Sequence, residues 1–169
     1  MGAMAEAEQT IERFGRCARA TWDHAVDAFT SGPTQRPGVT TAHLLLGVLK
    51  HDTCAGGLIL TKMGLDLQLA YKHTSFVLQY GRRQQEPAEP ADWAGVPHSR
   101  SAGRAVSLCF EEADLFSPTY PIGTEHITLA ILRVPEGSGA QILRWFGIDE
   151  AGVRRTRDEL WELLHSFED

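Results

Sequence analysis

The chain has 169 residues, 43% hydrophobic and 22% charged, with a formal charge of −6. That is apolar material enough for one domain, or two small ones sharing a core. The negative balance argues against non-specific nucleic-acid binding, which needs a basic face. No apolar run reaches the roughly 18 residues of a membrane span, and MGAMAEAEQTIERF lacks the basic start and apolar core of a secretory leader. The expected location is cytoplasmic, with no membrane and no nucleic acid as partner.

In chain order, residues 1–11 read as an extension. A first helix is expected over Glu12–Phe29, where Ala18, Trp22, Ala25 and Phe29 recur on one face. SGPTQRPG breaks it, because glycine and two prolines cannot continue a helix. A second helix follows Thr41, a suitable N-cap, and runs to about Lys50. A third holds Gly57–Met63 and stops at Gly64, a candidate left-handed C-terminal residue. A fourth covers Asp66 to about Tyr80.

Residues 81–97, GRRQQEPAEPADWAGVP, carry three prolines and read as an exposed linker, with Trp93 expected to pin it to the body. Four further helices are expected over Ser99–Phe116, Glu125–Arg133 (with Thr124 as N-cap), Gly139–Phe146 and Glu150–Phe167. Nothing alternates with strand period for long, so the expected class is all-α.

The second set of helices repeats the first. HLLLGVL at His43–Leu49 returns as HITLAIL at His126–Leu132, and GLD at Gly64–Asp66 as GID at Gly147–Asp149. The offset is 83 residues through this stretch and 84 in the first helix, where Ala18 falls on Ala102. The chain therefore divides into two repeats, residues 12–80 and 98–167. A four-helix unit of this size is marginal alone, so the repeats are expected to pack together with pseudo-two-fold symmetry.

The repeated histidines, His43 and His126, follow a helix start and precede apolar residues. A duplicated position is explained more simply by duplicated packing than by duplicated catalysis, with one ring nitrogen satisfied by backbone. Cys17, Cys54 and Cys109 are odd in number and form no Cys-X-X-Cys pair. They are expected to be free thiols of a reducing compartment rather than a disulfide framework or zinc ligands. No phosphate loop, His-Glu-X-X-His or Gly-X-Ser-X-Gly motif is present. Gly137-Ser138-Gly139 reads as a turn between helices before it reads as an anion cradle. Glu111 and Glu112 are adjacent, so their side chains diverge, and a solvated face is expected. No catalytic residue, metal or cofactor is expected.

IGTEHITLAIL at Ile122–Leu132 and VTTAHLLLGVL at Val39–Leu49 resemble the paired hallmark of the Clp N-terminal domain, of ClpC and ClpA type. GLILTKMGLD and AQILRWFGID resemble the family's third helix and turn, and RFGRCARATW and HSRSAGRAVSL its first helices. The likeness covers about 150 of 169 residues, in order. It implies two tandem four-helix repeats that do not catalyse but recruit adaptors and substrates to a Clp AAA+ ATPase ring serving a protease. Because no ATPase follows, and the linker and ends diverge, a free-standing protein is the expectation.

In some members the glutamate of each threonine-glutamate-histidine motif binds phosphoarginine. Glu125 keeps that position, after Thr124; Ala42, after Thr41, has lost it. The family's threonine near the start of the first helix corresponds to Ser99 in the second repeat, which keeps a hydroxyl, and to Gly15 in the first, which does not. The resemblance thus implies one surviving site, Glu125, Ser99 and Thr124, and a degenerate one, Ala42, Gly15 and Thr41. A carboxylate at Glu125 serves equally well to stabilise a helix N-terminus.

Residues 1–80 carry seven acidic and seven basic residues, and residues 98–169 twelve and seven. The acidic second half suits a cationic partner or a solvated surface, the latter being commoner. Two functions follow: a recruitment module of the Clp system, or capture of small ligands, since related domains bind cyclic peptide antibiotics.

Overall fold

A computed structural model describes residues 12–32, 38–81, 88–89 and 96–165. The described residues hold eight helices: α1 (Arg16–Ser31), α2 (Thr41–Lys50), α3 (Ala55–Lys62), α4 (Leu67–Tyr80), α5 (Arg100–Asp114), α6 (Thr124–Leu132), α7 (Ser138–Trp145) and α8 (Glu150–His165). The expected all-α class and element order are those observed. Two two-residue strands, β1 (Ala88–Glu89) and β2 (His98–Ser99), pair antiparallel where the linker returns to the body. Trp93 lies outside the described residues.

The helix ends follow local chemistry. Asp66 caps α4, its Oδ1 accepting from Leu69 N at 3.0 Å, and Ser99 caps α5 by accepting from Ala102 N at 3.2 Å. Gly64 and Gly147 adopt φ of +88° and +79°, the left-handed turn from α3 to α4 and from α7 to α8. The caps of α2 and α6 differ from expectation. They are Thr40 and Gly123, each one residue earlier than Thr41 and Thr124. The backbone N–H of each donates to the histidine three residues on: Thr40 to His43 Nδ1 at 3.0 Å, Gly123 to His126 Nδ1 at 2.9 Å. The histidine takes the role glutamate plays in a capping box.

Helices α2 and α6 are buried along nine consecutive residues each, Thr41–Leu49 and Thr124–Leu132. A helix apolar on every face has to be covered on every face. The other six surround the pair, with apolar residues from both repeats in one core. No single helix among the described residues is long and apolar enough to cross a membrane; α2 and α3 reach that apolarity only as a pair bent by 85°.

The repeats do not sit side by side; they interlock. The entry to α1 pairs with the entry to α6: Gly15 N donates to Ile122 O at 2.9 Å and Ile122 N to Arg13 O at 2.8 Å. The entry to α5 pairs with the entry to α2 in the same way, Val39 N to Pro97 O and Ser99 N to Val39 O, both 2.8 Å. These two crossed seams are the pseudo-two-fold relation in hydrogen bonds.

Two sequence expectations are corrected. Cys17 and Cys54 form a disulfide linking α1 to the start of α3, and only Cys109, buried in α5, is a free thiol. The spacing of 37 residues hid the pairing, because the α1–α2 hairpin that brings the two together is a tertiary feature. Glu112 is not on a solvated face: it is 1% exposed, whereas Glu111 faces solvent.

Candidate functional site

Glu125 occupies the first turn of α6 and is 6% exposed. Its carboxylate lies over the backbone of Gly123, where the Cβ of any other residue would overlap it. Burial raises its pKa, opposed by a bond to its own backbone N–H and by the Arg157 charge. Oε1 stands 3.3 Å from His126 Nδ1, but this is no ion pair. Nδ1 already accepts from Gly123, and burial, followed by the Arg157 charge, lowers the histidine pKa to about 4. The ring is neutral at ordinary pH, with its proton on Nε2. That nitrogen has no hydrogen-bond partner among the described residues, and the imidazole meets the rings of Phe116 and Tyr120 edge-on, with ring centres 5.9 and 5.8 Å apart. Among the described residues, then, no cation is hydrogen-bonded to the Glu125 carboxylate.

The crossed seams regroup the candidate residues. Glu125 lies three residues beyond Ile122, whose carbonyl accepts from Gly15. Ser99 bonds instead to Val39, three residues before Ala42, and its hydroxyl is spent capping α5. One seam therefore has the carboxylate without a hydroxyl, and the other the hydroxyl without a carboxylate. The α1 N-terminus, which joins this seam at Gly15, has no side-chain cap, since Gly15 offers none. Ala42, at 0% exposure, is core.

Thr124 and Thr41 serve neither as caps nor as groups facing a cleft. Thr124 Oγ1 accepts from Gly56 N at 2.7 Å and Thr41 Oγ1 from Gly139 N at 3.0 Å, each tying its helix to the third helix of the other repeat. The Gly139 amide is thereby withdrawn from any anion, and Gly137-Ser138-Gly139 opens α7. His43 and His126 are both buried, each accepting a backbone amide, which is a core role.

The sequence reading missed the charged cluster at the α5–α6–α8 junction. Glu112 Oε1 accepts from Arg133 Nη1 at 2.8 Å and Arg154 Nη2 at 2.7 Å, and its Oε2 from Arg154 Nη1 at 2.8 Å. Burial alone would raise the carboxyl pKa, but the two guanidinium groups outweigh it and hold the group ionised below the usual carboxylate range. A signal was present. Laid on the first repeat, Glu112 falls on Ala28 and Arg154 on Tyr71, so a complementary pair replaces two uncharged residues together.

The first repeat leaves open space where the second is filled. A cleft of about 530 Å³ runs between α1, α2 and α4, lined by Phe29, Gly32, His43, Leu46, Tyr71 and Leu78 among others. The residues corresponding to Gly32 and Leu78 are Phe116 and Trp161, whose rings stack at 5.8 Å.

No protein-family model matches this sequence. Among curated proteins, the chain is 31% identical over 116 residues to the chloroplast chaperone protein ClpC2 of Oryza sativa, covering 69% of this chain and 12% of that one. It is 25% identical over 130 residues to the ClpC/MecB negative regulator of genetic competence of Bacillus subtilis, covering 77% and 15%. The chain thus spans a small fraction of these relatives. Among solved structures, the N-terminal domain of the chaperone ClpD from Arabidopsis thaliana superimposes with a TM-score of 0.67 at 22% identity, covering 89% of this chain and 96% of that one. The N-terminal domain of the Escherichia coli ClpV1 ATPase gives 0.64 at 14%, covering 90% and 88%. These two structures are N-terminal domains of a Clp chaperone and a Clp ATPase, and their likeness to this chain is one of fold.

Proposed function

This chain belongs to the Clp N-terminal domain family, and we propose that it is a non-catalytic module recruiting protein or peptide partners to a Clp AAA+ unfoldase–protease system. The finer reading is that it takes a phosphoarginine side chain at Glu125. One observation carries this: a nearly buried carboxylate has no cation hydrogen-bonded to it among the described residues, and Ile122, three residues before it, is bonded to Gly15 at a helix N-terminus that lacks a side-chain cap. A guanidinium would satisfy the carboxylate bidentately, and the open N–H groups at the start of α1 would take the phosphate. In this reading the site consists of Glu125 and the Gly15 side; supporting that choice, Ser99 bonds to Val39 in the other seam.

Calorimetric titration with free phosphoarginine, and with a peptide carrying it, tests the reading. The expected result is binding that Glu125→Ala weakens at least about tenfold, the scale of a charge-assisted hydrogen bond, and that Ser99→Ala leaves unchanged. Unaltered affinity in Glu125→Ala would remove the site. Absence of binding to purified ClpC-type ATPases and their adaptors would remove the recruitment reading itself.

The open cleft of the first repeat favours a second reading, capture of a small cyclic peptide. Its volume lies within the range of ligand pockets. Thermal-shift measurement against cyclic peptides, with Leu46→Trp to fill the cleft, separates the two.

A further inference from the structure

The Cys17–Cys54 disulfide joins the two elements that hold the start of α6. Cys17 lies in the first turn of α1, two residues after Gly15, whose N–H donates to Ile122 O at 2.9 Å. Cys54 caps α3, two residues before Gly56, whose N–H donates to Thr124 Oγ1 at 2.7 Å. Ile122 and Thr124 stand three residues and one residue before Glu125. The bridge therefore locks together both anchors of the turn that carries the carboxylate.

The other seam supplies an internal control. There the counterparts of Cys17 and Cys54 are Ser101 and Gly137, which cannot be cross-linked. The mirrored bonds are nevertheless all present: Ser99 N to Val39 O, Val39 N to Pro97 O and Gly139 N to Thr41 Oγ1. The same seam is thus built without a bridge on one side of the pseudo-two-fold and with one on the other. The bridged side has Glu125, and the unbridged side has Ala42. The covalent link goes with the carboxylate, not with the packing.

We propose that Cys17 and Cys54 form a thiol-exchange site, reduced by a dithiol, whose redox state sets how firmly the Glu125 seam holds its ligand. The inference rests on the reading of Glu125 as a ligand site. Cys17 is half-buried and Cys54 is 8% exposed, so Cys17 is the more open end of the bridge. A thiolate of the reductant attacks Cys17 Sγ, the bond to Cys54 Sγ breaks, and Cys54 leaves as a thiolate that takes up a proton. The second thiolate of the reductant then attacks its partner sulfur in the mixed disulfide. Cys17 leaves and is protonated, and the reductant departs as a disulfide. Two electrons and two protons pass to the pair, and a disulfide oxidant reverses the exchange. With the bridge open, the starts of α1 and α3 move independently, and both anchors of the turn loosen.

Hydrogen exchange followed by NMR tests the device without a ligand. In the whole chain reduced with dithiothreitol, exchange at the Gly15, Ile122 and Gly56 amides is expected to accelerate at least about tenfold more than at their mirror amides, Ser99, Val39 and Gly139. A purely global loss of stability accelerates both seams alike. Cys17→Ser with Cys54→Ser should reproduce the reduced pattern and ignore dithiothreitol. Calorimetry with phosphoarginine reads the coupling. Affinity should fall at least about fivefold on reduction, and saturating phosphoarginine should shift the pair toward the disulfide by the same factor, as linkage requires. Equal acceleration in the two seams, or equal phosphoarginine affinity in the two redox forms, overturns the inference. So does a chain that circular dichroism shows unfolded on reduction, since the bridge is then a structural staple. Phosphoarginine binding to neither form removes the reading of Glu125 as its site, and the exchange comparison then decides the redox device alone.

Discussion

Thr124 Oγ1 lies 2.7 Å from the amide nitrogen of Gly56, 68 positions earlier in the chain, and Thr41 Oγ1 lies 3.0 Å from that of Gly139, 98 positions later. Each bond closes a third helix of one repeat onto the central helix of the other. The glycines let the backbones approach: a Cβ at Gly56 would stand 2.8 Å from Thr124 O, and one at Gly139 2.6 Å from Thr41 O. Thr124→Val keeps the shape and leaves a buried N–H unpaired, which should cost about 1–3 kcal/mol. Thr124→Ser should retain most of that stability. Gly56→Ala should cost at least as much by overpacking. Urea denaturation measures all three, and a Thr124→Val protein as stable as the parent would remove the bond from the account.

Glu112 holds two arginines from two other elements; without its charge, among the described residues, Arg133 keeps only Glu111, and Arg154 only Glu150, as a carboxylate partner. Glu112→Gln should destabilise by about 2–4 kcal/mol, below the range for fully buried pairs, because Arg133 and Arg154 keep 30% and 31% of their side chains in solvent. The pKa of Glu112 is lowered on folding. Its contribution is therefore complete above the ordinary carboxylate pKa and lost as pH falls through the lower folded value. Acid titration of the two proteins should converge at low pH.

His126 is buried neutral, its pKa lowered to about 4 from 6.5 by burial first and by Arg157 next. The unfolded chain takes up this proton at higher pH than the folded one. Stability from this group is present above pH 6.5 and should fall, by up to about 3 kcal/mol, as pH drops toward 4. Glu125, whose pKa is raised, acts in the opposite sense as pH climbs above the ordinary carboxylate range. His126→Asn keeps an acceptor for the Gly123 amide and cannot protonate. Its Tm should vary less between pH 4 and 6.5, with a residual slope from His24, also lowered by burial and by Lys50 and His51.

The Cys17–Cys54 disulfide closes a loop with a sequence separation of 37. Chain entropy puts its contribution at about 4 kcal/mol. Reduction, or Cys17→Ser with Cys54→Ser, should lower Tm accordingly, while Cys109 stays unmodified by thiol reagents in the native state. Burial, followed by the Glu112 charge, raises its pKa and keeps it a thiol.

Local pattern made much of this legible. Apolar spacing at three and four residues located the eight helices of the described residues within a few positions, because that spacing is itself the trace of one buried face. Gly64 and Gly147 marked two turns because a positive φ leaves little choice of residue. The duplicated His43 and His126 were readable as core for a similar reason: an apolar helix with a histidine in its first turn has few uses for that ring but capping. Misplacing the caps by one residue, at Thr41 and Thr124, had a definite cause. A threonine at a helix start looks the same whether its hydroxyl bonds its own helix or a neighbour.

The sequence by itself determined the repeat, the helices, the family likeness and the presence of Glu125 where the first repeat has Ala42, since all of these are relations between neighbours or between copies. Only the tertiary structure decided that Ser99 and Glu125 belong to different seams, that Cys17 meets Cys54 and that Glu112 is a buried ion. Those depend on which helix covers which, and periodicity states that a face is covered without saying by what.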